Sequence, residues 1–135
     1  MRNIVFAAAL LLSFSALADP QKLVDDEWVI GPGSMKGETF TLKETLPVKV
    51  IVEGMADTKK GFTVRVLPVK VWQDYKDKKI TAKGLEDYIA AKGIMYKKTH
   101  KLNAGDWAVM VENSENMFKS MSVRVKIVVN PKDED

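Results

Sequence analysis

The chain has 135 residues, no cysteine, one histidine and a formal charge of +3, which allows one domain with one core and excludes a disulfide-stapled scaffold, a thiolate metal site and a cysteine nucleophile. No Gly-x-Ser-x-Gly elbow, phosphate loop or Gly-x-Gly-x-x-Gly occurs, so the sequence lacks the motifs of those hydrolase and nucleotide-binding classes. Charge is unevenly placed: residues 19–58 carry 4 basic and 8 acidic side chains, residues 59–101 carry 12 and 4, and residues 102–135 carry 4 and 6.

In chain order, Arg2, the apolar run Ile4–Leu12 and the small-x-small triplet Ala16-Leu17-Ala18 read as a signal peptide over residues 1–18, cleaved before Asp19. That run is short for a bilayer, and no later run reaches the roughly 20 apolar residues a spanning helix needs, so no membrane anchor is expected. Residues 19–130 read as a single domain and 131–135 as a disordered acidic tail. An exported chain without cysteine points to a bacterial periplasm or the cell exterior. Export takes nucleic acid off the list of partners for the basic block and leaves anionic envelope polymers, lipid headgroups and acidic proteins.

Trp28, Val29 and Ile30 form the first apolar anchor before the breaker cluster Gly31-Pro32-Gly33. Phe40 and Leu42 alternate with Thr39, Thr41 and Lys43, and the β-branched stretch Leu46–Val52 runs to Gly54, so both predict strands. After Gly61, Phe62, Val64 and Val66 face one way and Thr63 and Arg65 the other; past Pro68 the apolar phase moves to Val69 and Val71, which predicts a bulge or an edge bend. The words Leu46–Val50 and Leu67–Val71 are identical, which suggests equivalent strand chemistry.

Trp72–Lys79 is polar and predicts a loop, and Thr81 caps a short helix whose Leu85, Tyr88 and Ile89 share a face and which stops at Gly93. Ile94, Tyr96, His100 and Leu102 share one face of the next strand. A turn at Asn103–Asp106, a strand opened by a buried Trp107, a polar turn at Glu112–Asn116 and a return strand with Met121, Val123, Val125, Ile127 and Val129 on one face predict a β-hairpin. The expected fold is all-β: an antiparallel β-sandwich of about seven to eight strands with one short helical insertion, with an eight-stranded barrel under a helical lid as the alternative.

Ala104-Gly105-Asp106-Trp107-Ala108-Val109, followed by Glu112-Asn113-Ser114 and the return strand, resembles the closing hairpin of GOLD domains, the lumenal β-sandwiches of Golgi cargo receptors. It is similar also to that of bacterial pre-peptidase C-terminal domains, whose Ala-Gly turn precedes an aromatic strand. The resemblance covers Leu102–Val129, and the cysteine pair of the cargo-receptor family is absent. It implies a β-sandwich with a general binding or adaptor role.

Chemistry is sparse. His100 shares the apolar face of its strand, and Glu86 and Asp87 suit helix N-terminal charge better than a catalytic pair. Met110, Met117 and Met121 with His100 supply soft ligands suited to copper(I), but methionine also fills core gaps. Asp25-Asp26-Glu27 and Asp133-Glu134-Asp135 lack the alternating spacing of a calcium loop. The remaining candidate is a partner-binding patch of Trp72, Tyr75, Lys76, Lys78 and Lys79, where aromatic and ammonium groups together suit sugars or acidic partners; solvated lysines beside a core tryptophan are its simpler reading. The expected function is a non-enzymatic exported module, without cofactor, contacting another envelope macromolecule through a sandwich surface. An inhibitor or chaperone-like partner of a specific protein, and a small-ligand or copper carrier, are the alternatives.

Overall fold

Alternation of apolar and polar residues places one side of each strand in the interior, and the structure, a computed structural model that describes residues 13–14, 20–55, 61–113 and 118–131, stacks these sides in two sheets. Among the described residues nine strands form: β1 (Ser13–Phe14), β2 (Gln21–Ile30), β3 (Met35–Leu42), β4 (Leu46–Gly54), β5 (Phe62–Pro68), β6 (Ile89–Gly93), β7 (Met95–Leu102), β8 (Gly105–Glu112) and β9 (Met121–Val129). Sheet A has the order β1-β3-β8-β5-β6 and sheet B the order β2-β9-β4-β7. All pairings are antiparallel except the two-residue bridge of β1 to Thr41 and Leu42.

From β2 onward this is the jelly-roll winding. The outer pairs β2 with β9, β3 with β8, β4 with β7 and β5 with β6 are successive rungs of one long antiparallel ribbon folded over on itself. Only β5 and β6 are both consecutive and paired; every other connection crosses between sheets. The expected sandwich is therefore present, but the expected hairpin of residues 107–129 is not: β8 lies in sheet A and β9 in sheet B. Two-residue alternation reports which side of a strand is buried and is silent on which neighbour it pairs with.

Between the sheets lies the main core, where Trp28, Phe40, Leu42, Val48, Val50, Phe62, Val109, Val125 and Ile127 are all buried. Trp107 points inward but is only half-buried, because it stands at the rim next to the turn, where its indole N–H donates to the Asn103 carbonyl at 2.8 Å. Trp28, by contrast, is fully enclosed.

The ribbon tip between β5 and β6 is helical: α1 (Val69–Lys76) and a 3-10 helix (Ala82–Tyr88). Pro68 ends β5 and occupies the helix N-cap with φ −61°, so the phase change after it marks a strand-to-helix switch, not a bulge. The expected loop at Trp72–Lys79 is thus helix through Lys76, and the expected helix over 81–92 is a 3-10 segment followed by β6. Identical words take different structures: Leu46–Val50 is strand, whereas Leu67–Val71 runs from strand into helix.

This connection covers the outer face of sheet A. Trp72 and Leu85 pack with Leu67, Ala108 and Met110 as a second core, with Met35, Tyr75 and Tyr88 at its margin. Among the described residues no helix is long and apolar enough to cross a membrane. Of the expected signal segment only Ser13–Phe14 is described; the cleavage site, Met117 and residues 132–135 lie outside the described residues.

Candidate functional site

The structure divides the basic block. Lys70, Lys76, Lys78, Lys79 and Lys83 lie on the helical connection over sheet A, while Lys97, Lys98 and Lys101 lie on β7 of sheet B.

On the helical side the aromatic half of the sequence-derived patch turns inward. Trp72 is buried in the second core, with the Lys76 ammonium 5.0 Å from its ring centroid. The Tyr75 hydroxyl donates to Glu112 Oε2 at 2.7 Å. Burial, then the bond to the Glu112 carboxylate and its charge, push the Tyr75 phenol up to about 12, with Arg65 working in the opposite direction. Arg65 completes the cluster: it donates to the Leu85 carbonyl at 2.9 Å and contacts Glu112 Oε1 at 3.4 Å. These bonds fasten the helical connection to β5 and β8. Lys76, Lys78 and Lys79 remain exposed, beside a buried Trp72 and a half-buried Tyr75.

Sheet B presents the opposite side of the molecule. Its outward residues include Lys49, Ile51 and Glu53 on β4, Lys97, Thr99 and Lys101 on β7, Arg124, Lys126 and Val128 on β9, and Asp25 and Glu27 on β2; all are exposed or half-buried. Register brings the lysines together. Ile51 lies between Lys97 and Lys126, Lys49 lies opposite Thr99, and Lys101 lies opposite Pro47. Strand spacing near 5 Å and about 7 Å between alternate residues put Lys97 and Lys126 about 10 Å apart with Lys49 diagonal to both. Lys49, Lys97, Lys101 and Lys126 have no ion-pair partner among the described residues.

Of the acidic residues on this face, Asp25 is engaged, while Glu27 and Glu53 stand in register on either side of Arg124. Asp25 on β2 accepts from Arg124 at 2.7 Å and from Lys22 at 3.2 Å, and these two hydrogen bonds hold its carboxyl below the usual range. Beside Lys101, an open hollow of about 400 Å³ is lined by Thr45, Leu46, Pro47 and Thr99. A second, of about 570 Å³ at the start of α1, holds both Lys70 and Asp106 and so has no charge preference. What the outer face of sheet B can do is hold several anionic groups at once, with Thr99 as a hydrogen-bonding group and Ile51 and Val128 as apolar contact between the charges.

The remaining candidates separate. Met110 belongs to the second core and Met121 to the first, on opposite sides of sheet A, so they cannot converge on copper with His100. No group of three or more His, Cys, Asp or Glu suited to a metal occurs among the described residues. Asp25–Glu27 lie within strand β2, not in a loop. His100 instead bonds the Tyr96 hydroxyl through Nε2, and burial, followed by the nearby charge of Lys98, depresses its pKa below 6.5.

Sequence reading missed two sets of residues. Lys49 and Lys126 were visible only as polar positions within strands, and without register nothing joined them to β7. Asn113 is fully buried at the corner between the sheets; its Nδ2 reaches the carbonyls of Ile30, Gly31 and Lys119 at 3.0–3.1 Å, and its backbone bonds Ser34 and Gly33. Its role in the sequence is hidden by an ordinary polar turn. Compared with known protein families and with curated proteins, the chain matches none.

Proposed function

We propose that the protein is an exported, non-enzymatic binding module of the bacterial envelope that holds an anionic macromolecule against the outer face of sheet B. The observation that carries this reading is the group Lys49, Lys97, Lys101 and Lys126, four ammonium groups raised by three adjacent strands and unpaired among the described residues. Leaving such like charges together costs repulsion that a counter-charged partner removes. The apolar and hydroxyl groups between them make the face a contact surface as well as a source of field.

Retention on an immobilised polyanion such as dextran sulfate tests the reading. Binding weakens steeply with salt, because the Debye length contracts from about 10 Å at 0.1 M to about 3 Å at 1 M. Absence of retention at low salt, or retention indifferent to salt, overturns it. The export component predicts that protein recovered from the cell envelope begins at Asp19; recovery from the cytoplasm with Met1 in place contradicts it.

A further inference from the structure

Large apolar side chains scattered singly over a surface are ordinary, but a contiguous group is informative. Among the described residues the exposed ones are Val29, Met55, Ile94, Met95 and Phe118, at 63%, 41%, 57%, 51% and 90%. All five fall at one end of the sandwich. Glu53 is in register with Met95, the Gly54 amide bonds the Ile94 carbonyl, the Met55 amide bonds the Ser122 carbonyl, and Ser122 is in register with Val29. Phe118 precedes the first residue of β9 at the same end. Four neighbouring chain segments therefore present apolar groups along the rim of sheet B, and the opposite rim presents none among the described residues.

Resting on the cationic reading of sheet B, we propose that the anionic partner is the surface of a lipid bilayer, into which this end inserts. The apolar residues stand at or next to strand ends and in the connections between strands, a placement that suits shallow entry of about 5–10 Å into the headgroup and acyl boundary. Acidic groups stand at this rim as well, Glu53 opposite Met95 and Glu27 two residues before Val29, beside a larger set of lysines. Lys97 follows Met95 by two residues, Lys92 precedes Ile94 by two, and Lys119 adjoins Phe118. Behind Lys97 the field continues through Lys49, Lys101 and Lys126. Arg124 adds little, since it is paired with Asp25 and flanked in register by Glu27 and Glu53. A cationic face continuous with an apolar rim matches anionic headgroups over an apolar interior; a purely polar polymer would leave the rim in water.

Flotation with vesicles of mixed phosphatidylglycerol and phosphatidylcholine, against phosphatidylcholine alone, tests this beside the dextran sulfate assay. The intact mature protein is expected to float with the anionic vesicles. The double variant Ile94→Ser/Phe118→Ser should lose at least about tenfold in vesicle affinity while keeping its retention on dextran sulfate. Circular dichroism and a urea midpoint confirm that the variant is folded; Met55→Ser/Met95→Ser serves as the second variant. If both variants bind vesicles as well as the parent, the inference fails while the cationic reading stands. If Lys49→Glu/Lys97→Glu/Lys101→Glu/Lys126→Glu still binds dextran sulfate, the cationic reading itself fails. A concentration-dependent dimer abolished by the serine substitutions, without vesicle binding, would assign this end to a second copy and overturn the proposal.

Discussion

The indole of Trp72 fills the space above Gly37: a Cβ at position 37 would lie 2.9 Å from its Cζ2 and 3.1 Å from the Val109 carbonyl oxygen. Glycine here lets the helical connection lie close on sheet A. Gly37→Ala should cost roughly 1–3 kcal/mol by overpacking, and Trp72→Ala roughly 3–5 kcal/mol by emptying the second core. In a double-mutant cycle read from urea midpoints, Gly37→Ala should cost much less once Trp72 is Ala. Additive losses would show that the two positions do not meet.

Asn113 joins the β2–β3 turn to the connection that leads into β9. Its amide reaches three carbonyls, and its Oδ1 is buried without a partner among the described residues. Asn113→Ala should cost roughly 1–3 kcal/mol, the scale for buried groups left unsatisfied. Asn113→Asp, although the same size, should be worse at neutral pH, because it sets a carboxylate against three carbonyl oxygens. Equal thermal stability of the two variants would contradict this bonding pattern.

Tyr75 tests the clip beneath the helical connection. Tyr75→Phe leaves Glu112 Oε2 without its donor and should cost roughly 1–3 kcal/mol. In the parent protein this phenol, raised to about 12, should ionise well after an unperturbed tyrosine near 10. Stability from this group is therefore intact below the unfolded value of 10.0 and is lost as pH rises toward about 12. Ultraviolet titration of phenolate absorbance in parent and variant measures it, and loss of an ordinary tyrosine step in the variant would refute it.

His100 gives a dependence at the other end of the scale. Its folded pKa lies below the ordinary imidazole value of 6.5, so the unfolded chain binds the proton more readily. Stability from this group is therefore full above about pH 6.5 and falls as pH drops through the folded value. Urea midpoints from about pH 7.5 down to about pH 5 should show this loss in the parent and a shallower one in His100→Gln. Parallel curves would mean that the imidazole is not held neutral.

The sequence made strand faces legible and strand partners illegible. Val123, Val125, Ile127 and Val129 are buried as their alternation required, yet the strand they occupy pairs with β2 and β4 and not with β8. Leu-Pro-Val-Lys-Val shows the same limit locally: followed by Ile51 and Val52 it continues as strand, whereas followed by Trp72 and Tyr75, which find a core above sheet A, it turns into helix. At the candidate site, aromatic residues beside lysines suggested a binding surface. The structure uses Trp72 and Tyr75 to hold the connection down and assembles a second lysine group from positions 49, 97, 101 and 126, which register brings onto one face from three strands.

The most direct test compares two charge reversals in one protein. Lys49→Glu/Lys97→Glu/Lys101→Glu/Lys126→Glu inverts the face of sheet B, and Lys76→Glu/Lys78→Glu/Lys79→Glu inverts the helical side, where the aromatic rings face inward. Exposed charge changes usually move stability by less than about 0.5 kcal/mol each, and because Lys76 also loses its contact with the Trp72 ring, circular dichroism and a urea midpoint establish that both variants are folded. Measured as affinity for dextran sulfate at low salt, the first variant should lose binding by at least about a hundredfold, roughly 2.7 kcal/mol, and the second should stay within a few-fold of the parent. The reverse order, or undiminished binding by the first variant, would contradict the account.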